Sequence, residues 1–212
     1  MKAKSFKYWF TQELHEQFGL IREDNSPLLK EWITSNADIS ETEQKRLEDL
    51  RSLLATNAEY WNEEELKMKF IGQLLDLVNL DTPQYRLFYD RPIRANVNGM
   101  TLSGTVDMMV STGFQLPKKP FFCIHEYKQE AKRDNDPKGQ LLIEMIAAQT
   151  LNQNEFPVYG CYVIGRSWFF VVLIEKQYDY SVAFDASQED IFQIFKNLRN
   201  IKVRIEKQLK TN

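Results

Sequence analysis

Phe121-Phe122-Cys123-Ile124-His125-Glu126-Tyr127-Lys128 is the stretch on which the reading of the fold turns. It opens as an apolar strand and closes with a carboxylate and an ammonium group one residue apart. A strand sends alternate side chains to opposite faces, so Glu126 and Lys128 should point the same way as Phe122 and Ile124, with His125 on the other side. If that face is the buried one, an acid and a base emerge together where the strand leaves the core. Such groups are rarely buried without a partner or a metal. Taken alone, the triplet also fits a solvated strand end with an ordinary salt bridge. Its neighbours in the chain weigh against that.

After this strand, Asp136-Pro137 caps a helix over about 137–153 that carries Gln140, Glu144, Ala147 and Ala148 along one side. Strands follow over 158–165 and 167–175, with Gly165-Arg166 as the turn, then a weaker strand over 178–184 and a last helix over about 187–209. Before the central strand, segments 85–97 and 100–110 flank Asn98-Gly99, a strong short-range hairpin signal. Asp107 sits inside the apolar run of the second of these, an expensive place for an isolated carboxylate. Earlier still, a helix over 62–80 shows the stripe Leu66, Phe70, Leu74 and Leu77. Continued towards the N-terminus, that stripe reaches Glu63, while Glu64 and Glu65 point to its sides. A run of glutamates also favours the positive end of the helix dipole, but that does not explain a carboxylate on the core-facing stripe.

The first quarter reads as helical. Phe6, Trp9, Phe10, Leu14 and Phe18 are spaced for one face of a helix over 5–21. Ser26-Pro27 starts a short helix, and Ser40 with Glu43 makes a capping box for a third, running to about Thr56. No Gly-, Pro- or Ser-rich linker follows. Residues 1–60 are therefore expected to be a helical extension packed on a core of residues 61–212. The order of elements is that of an α/β protein, a sheet covered by helices.

Composition narrows the classes further. A hydrophobic content of 43% supports a real core. No apolar run reaches the ~18 residues needed to cross a bilayer, and no apolar block follows the charged start, so a cytoplasmic protein without a membrane partner is expected. Cys123 and Cys161 lie in apolar segments without a CxxC pair and read as buried thiols. His15 and His125 are too few and too scattered for a histidine-built metal centre. Net charge is −3, which does not advertise nucleic-acid binding, but charge is unevenly spread. Lys118, Lys119, Lys128, Lys132, Arg133 and Lys138 surround the central strand. The basic residues Lys196, Arg199, Lys202, Arg204, Lys207 and Lys210 read as a solvated face of the last helix.

Glu63, Asp107 and Glu126 thus stand on core-facing positions of successive elements, with Lys128 beside the last. Oxygen-only ligands suit a hard cation such as Mg²⁺ or Mn²⁺. With this pattern the chain resembles the PD-(D/E)XK nuclease superfamily, the restriction-endonuclease-like fold. That family's pattern is a helix glutamate, a strand aspartate, a strand with (Asp/Glu)-x-Lys and a helix often bearing Gln. Glu63, Asp107 in Gly104-Thr105-Val106-Asp107, Glu126-Tyr127-Lys128 and Gln140 match it over about residues 61–175. Gln140-Leu141 is similar to the Gln-Leu helix of the exonuclease-type branch. Two departures stand out: Glu144 lies where that branch often has Tyr, and Val106 replaces the usual Pro.

The resemblance implies a mixed β-sheet flanked by helices and metal-dependent hydrolysis of phosphodiesters, DNA foremost, with a homodimer where both strands are cut. It implies Asp107, Glu126 and the Tyr127 carbonyl as metal ligands, with Glu63 bound directly or through water. Lys128 would orient the attacking water or offset charge on phosphorus, and Gln140 would hold the substrate backbone or the nucleophile. Lys132, Arg133 and Lys138 would grip neighbouring phosphates. Two other readings compete. In one, an inactive nuclease-fold protein binds partners through its N-terminal helices and Trp9, Trp32 and Trp61; in the other, an unrelated α/β enzyme keeps its three acids apart.

Overall fold

The computed structural model describes residues 4–130, 136–153 and 156–211. Helices α1 (Thr11–Phe18), α2 (Pro27–Ile33) and α3 (Glu41–Asn57) fill the first quarter, and local capping sets their ends. Ser40 Oγ accepts the Glu43 N–H at 3.3 Å while the Glu43 carboxylate takes the Ser40 N–H at 2.8 Å, the reciprocal box that starts α3. The helix expected over 5–21 is shorter. Lys4–Ser5 forms strand β1, Phe6–Tyr8 makes one 3₁₀ turn, and α1 starts only at Thr11. Glu13 takes the Phe10 N–H at 2.9 Å and Asp136 takes the Thr11 N–H at 2.7 Å, so the first helical donors are satisfied there. Phe6, Trp9, Leu14 and Phe18 are buried as expected, but Phe10 is half exposed.

The next helix is also interrupted. Asn62 Oδ1 accepts the Glu65 N–H at 2.9 Å and caps α4 (Glu63–Leu66). A π turn over Lys67–Ile71 follows, then α5 (Gly72–Val78). The turn adds a residue to the helical repeat, so the buried set becomes Leu66, Phe70, Ile71, Leu74, Leu75 and Val78, and Leu77 is only partly covered.

Besides β1, the strands are β2 (Ile21–Arg22), β3 (Arg86–Val97), β4 (Met100–Thr112), β5 (Lys118–Lys128), β6 (Val158–Ile164), β7 (Ser167–Ile174), β8 (Gln177–Tyr180) and β9 (Phe184–Asp185). Asn98 and Gly99, with φ of 52° and 79°, form the tight β3–β4 turn, which requires left-handed backbone at both positions. The strands make one mixed sheet in the order β1-β4-β5-β6-β7-β8-β2, with β3 also on β4 and β9 on β7. β3, β4 and β5 are antiparallel neighbours. β5 and β6 are parallel and are joined by α6 (Pro137–Leu151); β6, β7 and β8 return antiparallel.

Helices cover both faces. α6 and α1 pack on one side, with Leu141, Met145 and Leu14 against Ile124 and Val171. Leu29, Trp32, Leu47, Phe70 and Phe195 share the other apolar layer with Phe122 and Phe170, so α2, α3, α5 and α7 (Asp190–Thr211) lie there. α6 is buried almost all round, which fits its apolar sequence. Trp9, Trp32 and Trp61 are all buried in these layers, so they form no surface for a partner. The basic face of α7 also needs correction: Arg199 pairs with Glu43, and Arg204 is buried against Tyr159.

Two irregularities shape the central strands. In the β4–β5 ladder Val110 pairs with Cys123 and Ser111 with Phe121, which leaves Phe122 as an extra residue. Phe122 therefore joins Cys123 and Tyr127 in one layer while Ile124 faces the other, and the simple alternation expected for Phe122 and Ile124 fails at this bulge. In β4, Leu102 and Val106 pack in one layer, Met108 and Val110 in the opposite one, and Met109 returns to the first. The period of two breaks at Asp107. Across from it, Asp90 has φ 49°, and the β3–β4 pairing skips that step. An aspartate tolerates this left-handed backbone better than most residues.

Asp136 ties α6 to the N-terminal segment. Its Oδ1 caps α6 by accepting the Gly139 N–H at 2.9 Å, and its Oδ2 accepts the Thr11 N–H and hydroxyl, both at 2.7 Å. The two segments pass so closely that a Cβ at Gly139 would stand 2.7 Å from the Trp9 carbonyl oxygen. Asp136→Ala is expected to lower unfolding stability by about 1–2 kcal/mol in urea titration. A change within error would show that neither cap matters.

Candidate functional site

At the C-terminal end of β5, opposite the middle of β4, their ladder opens. The last recorded pair is Met108 with His125. Beyond it, the Tyr127 N–H is accepted not by a strand carbonyl but by Asp107 Oδ2, at 2.8 Å. This mid-strand carboxylate stands between β4 and the end of β5, and the start of α4 lies over the gap. The result is a pocket of roughly 790 Å³, lined among others by Glu63, Asp107, Glu126, Lys128 and Gln140. The three acids, the lysine and the glutamine therefore share one cavity, contributed by α4, β4, β5 and α6. Ser5, Phe6, Lys7 and Tyr8 of the N-terminal segment close another side of it.

Lys128 Nζ donates to Glu126 Oε1 and also to the Tyr127 carbonyl at 3.2 Å. Its distance to Glu63 Oε2 is 3.7 Å. Lys67 is the residue that sequence reasoning missed. Its Nζ donates to Asp107 Oδ1 at 2.8 Å and to Glu63 Oε1 at 3.1 Å. The available signal was its place four residues after Glu63, on the same helix face. Glu65 turns away and pairs with Lys69 at 2.7 Å. Lys138 lies beside the pocket's Pro137 and stacks its Nζ over the Tyr180 ring at 4.4 Å. Lys132 and Arg133 fall outside the described residues.

Behind the pocket sits a residue whose depth the sequence did not reveal. Glu144 is fully buried, and its Oε1 accepts from Gln140 Nε2 at 3.2 Å. Among the described residues Glu144 Oε2, Gln140 Oε1 and Glu126 Oε2 are buried without a hydrogen-bond partner. The signal for Glu144 was a lone acid in an otherwise apolar helix. On the reverse face, His125 is buried against the Tyr127 hydroxyl, 2.9 Å from Nδ1, and takes no part in the cavity. Cys123 and Cys161 are buried free thiols.

Burial dominates the electrostatics. It raises the Glu126 carboxyl, helped by the nearby Asp107 charge and opposed by Lys128, to a pKa of about 8. Burial and then the Glu126 charge push Glu144 up as well. Burial works against the charge on Lys67 and Lys128, but the adjoining carboxylates outweigh it and both pKa values rise. The lysines are thus held firmly cationic, and the innermost acids hold protons unusually well.

These shifts give a pH dependence with a defined sign. Glu126 binds its proton more tightly folded than unfolded, so its contribution to stability is full below the ordinary carboxylate range and is lost as pH rises through about 8. Glu144 acts in the same sense. Buried His125, pushed down to about 3 from 6.5, acts oppositely, and its contribution is complete above 6.5. In chelator, the melting temperature should therefore fall between about pH 6.5 and 8.5, and fall less steeply in Glu126→Gln. Parallel slopes in thermal melts of the two proteins would contradict this origin.

The donor set fits a hard cation. Every candidate ligand in the pocket is an oxygen, and among the described residues a buried Glu126 oxygen and a buried Gln140 oxygen lack hydrogen-bond partners. Among the described residues no group of three or more His, Cys, Asp and Glu side chains forms a ready-made metal cluster; ammonium groups of Lys67 and Lys128 stand between the carboxylates instead. A scan of the chain against protein-family models and a search of curated proteins each found no match. Among the described residues no helix is long and apolar enough to cross a membrane. The chain is a mixed α/β protein whose large sheet is flanked by helices and opens at one end into an acid- and lysine-lined pocket.

Proposed function

We propose that this protein is a divalent-metal-dependent nuclease of the PD-(D/E)XK type, hydrolysing phosphodiester bonds in DNA. The observation that most supports this reading is the meeting of Glu63, Asp107, Glu126 and Lys128 in one pocket from three separate elements. The succession of helix, antiparallel β3-β4-β5, crossover helix and parallel β6 agrees with the order that the resemblance implies. Asp107, Glu126 and the Tyr127 carbonyl would hold Mg²⁺ or Mn²⁺, with Glu63 at its side. Such an ion neutralises charge on the scissile phosphate and makes water a stronger acid.

The chain's own groups then have distinct tasks. Lys128, already beside Glu126 and the Tyr127 carbonyl, orients the attacking water and offsets the negative charge that grows on the phosphate oxygens. Gln140 donates an Nε2 proton to Glu144, and its Oε1 remains to accept from a water or hydroxyl in the pocket. Lys138 and Lys7 supply charge for phosphates to either side of the scissile one. Incubation of linear and circular DNA with the purified protein should give products with Mg²⁺ or Mn²⁺ and none with chelator. Lys128→Ala should slow cutting on the order of a hundredfold or more. Equal cleavage by wild type and Lys128→Ala would trace the activity to a contaminant and sink the proposal.

A further inference from the structure

Lys67 stands where the acids meet. Its Nζ lies within 3.4 Å of three carboxylates, those of Asp107, Glu63 and Glu64, and its side chain is only 18% exposed. A lysine four residues after a glutamate ordinarily makes a surface pair worth a few tenths of a kcal/mol. This one instead crosses from the helix to β4. The backbone departs from α-helical form at the same place, since the π turn begins at Lys67 and the Gly72 N–H bonds to the Lys67 carbonyl. Single π turns are frequent at functional sites.

The other half of the pocket is incompletely paired, although Lys128 holds Glu126 Oε1. Glu126 Oε2 and Gln140 Oε1, in residues that are 1% and 6% exposed and that line the same cavity, have no partner among the described residues. A buried carboxylate oxygen without donor or cation is costly. Lys67 therefore screens Asp107 from Glu63 but leaves Glu126 half satisfied. A divalent ion between Asp107 and Glu126 would satisfy both, and would compete with the ammonium group for Asp107.

Building on the metal-site reading above, we propose that Lys67 is a built-in counter-ion that a divalent cation must displace from Asp107, so that this lysine sets the metal affinity of the site. The lysine holds like charges together before the ion arrives, and the contacts it gives up are subtracted from the binding free energy. Its removal should have two opposite effects. The metal-free protein loses stability because the ammonium group that bridges Asp107 and Glu63 is gone. Metal binding becomes tighter because no ammonium group has to leave Asp107.

The test is calorimetric titration of Mn²⁺ into wild type, Lys67→Met and Lys67→Gln, with thermal melts in chelator and in Mn²⁺ to verify folding. Both variants should bind Mn²⁺ tighter by about tenfold or more, melt earlier in chelator and gain more from Mn²⁺ than wild type does. Mn²⁺ binding by the variants alone would support the same conclusion. If wild type binds and folded variants bind no more tightly, the counter-ion role is overturned while the metal-site reading survives. If none of the three binds, both fall.

Discussion

Asp107→Asn should reduce metal-dependent cleavage on the order of a hundredfold or more and abolish calorimetric Mn²⁺ binding, while the protein stays folded. The substitution is chosen for what it keeps. The Asn side-chain oxygen can still accept the Tyr127 N–H that Asp107 Oδ2 accepts at 2.8 Å, so the link from the middle of β4 to the end of β5 is kept. What is lost is one negative charge and one hard oxygen ligand, and Lys67 is left to Glu63 and Glu64. Asp107→Ala is a poorer probe, because it also strands a buried backbone donor, at a cost of about 1–3 kcal/mol. Loss of activity there would mix chemistry with folding. Cleavage rates measured beside thermal melts separate the two, and unimpaired cutting by Asp107→Asn would remove this residue from the reaction.

The largest stability effect is expected at Trp32. Its ring is fully buried, meets Tyr159 and Phe170 edge-on with centroids 5.1 Å away, and gives its Nε1 proton to the Asn197 carbonyl at 2.8 Å. Through this one side chain α2 is fastened to the sheet and to α7. Trp32→Ala should cost about 3–5 kcal/mol, the range for removing a large buried aromatic. Trp32→Phe keeps most of the packing but leaves the Asn197 carbonyl without that donor, so it should cost less. Urea unfolding checks both. A loss below about 1 kcal/mol for Trp32→Ala would mean that the N-terminal helices contribute little to the core.

What could be read in advance follows the range of the forces involved. The Ser40–Glu43 box, the Asn98-Gly99 turn and the Asp136-Pro137 helix start are fixed by neighbours in sequence, and each appears where its residues are. Features that depend on distant partners did not read so well. The helix expected from residue 5 starts six residues later because an aspartate at position 136 takes the Thr11 N–H. Alternation along the central strand fails at Phe122 because β4 forces a bulge there, and neither strand alone carries that information.

The site shows the same division. Glu63, Asp107, Glu126 and Lys128 were visible as charges at positions where the hydrophobic pattern called for none. Lys67 fits a helix surface so well that only its contact across to β4 reveals it. Glu144 was noticed on its helix, but its depth depends on α6 being covered by α1 as well as by the sheet. Propensity and pattern locate charges that are out of place; they do not say which ammonium a carboxylate will find.

Anomalous diffraction from a crystal soaked in Mn²⁺ tests the central claim most directly. A peak within ligand distance of the Asp107 and Glu126 carboxylates and the Tyr127 carbonyl, with Lys67 Nζ moved off Asp107, is the expected result. Density that places Mn²⁺ elsewhere, or nowhere, with Lys67 still bonded to Asp107 and Glu63, would contradict it.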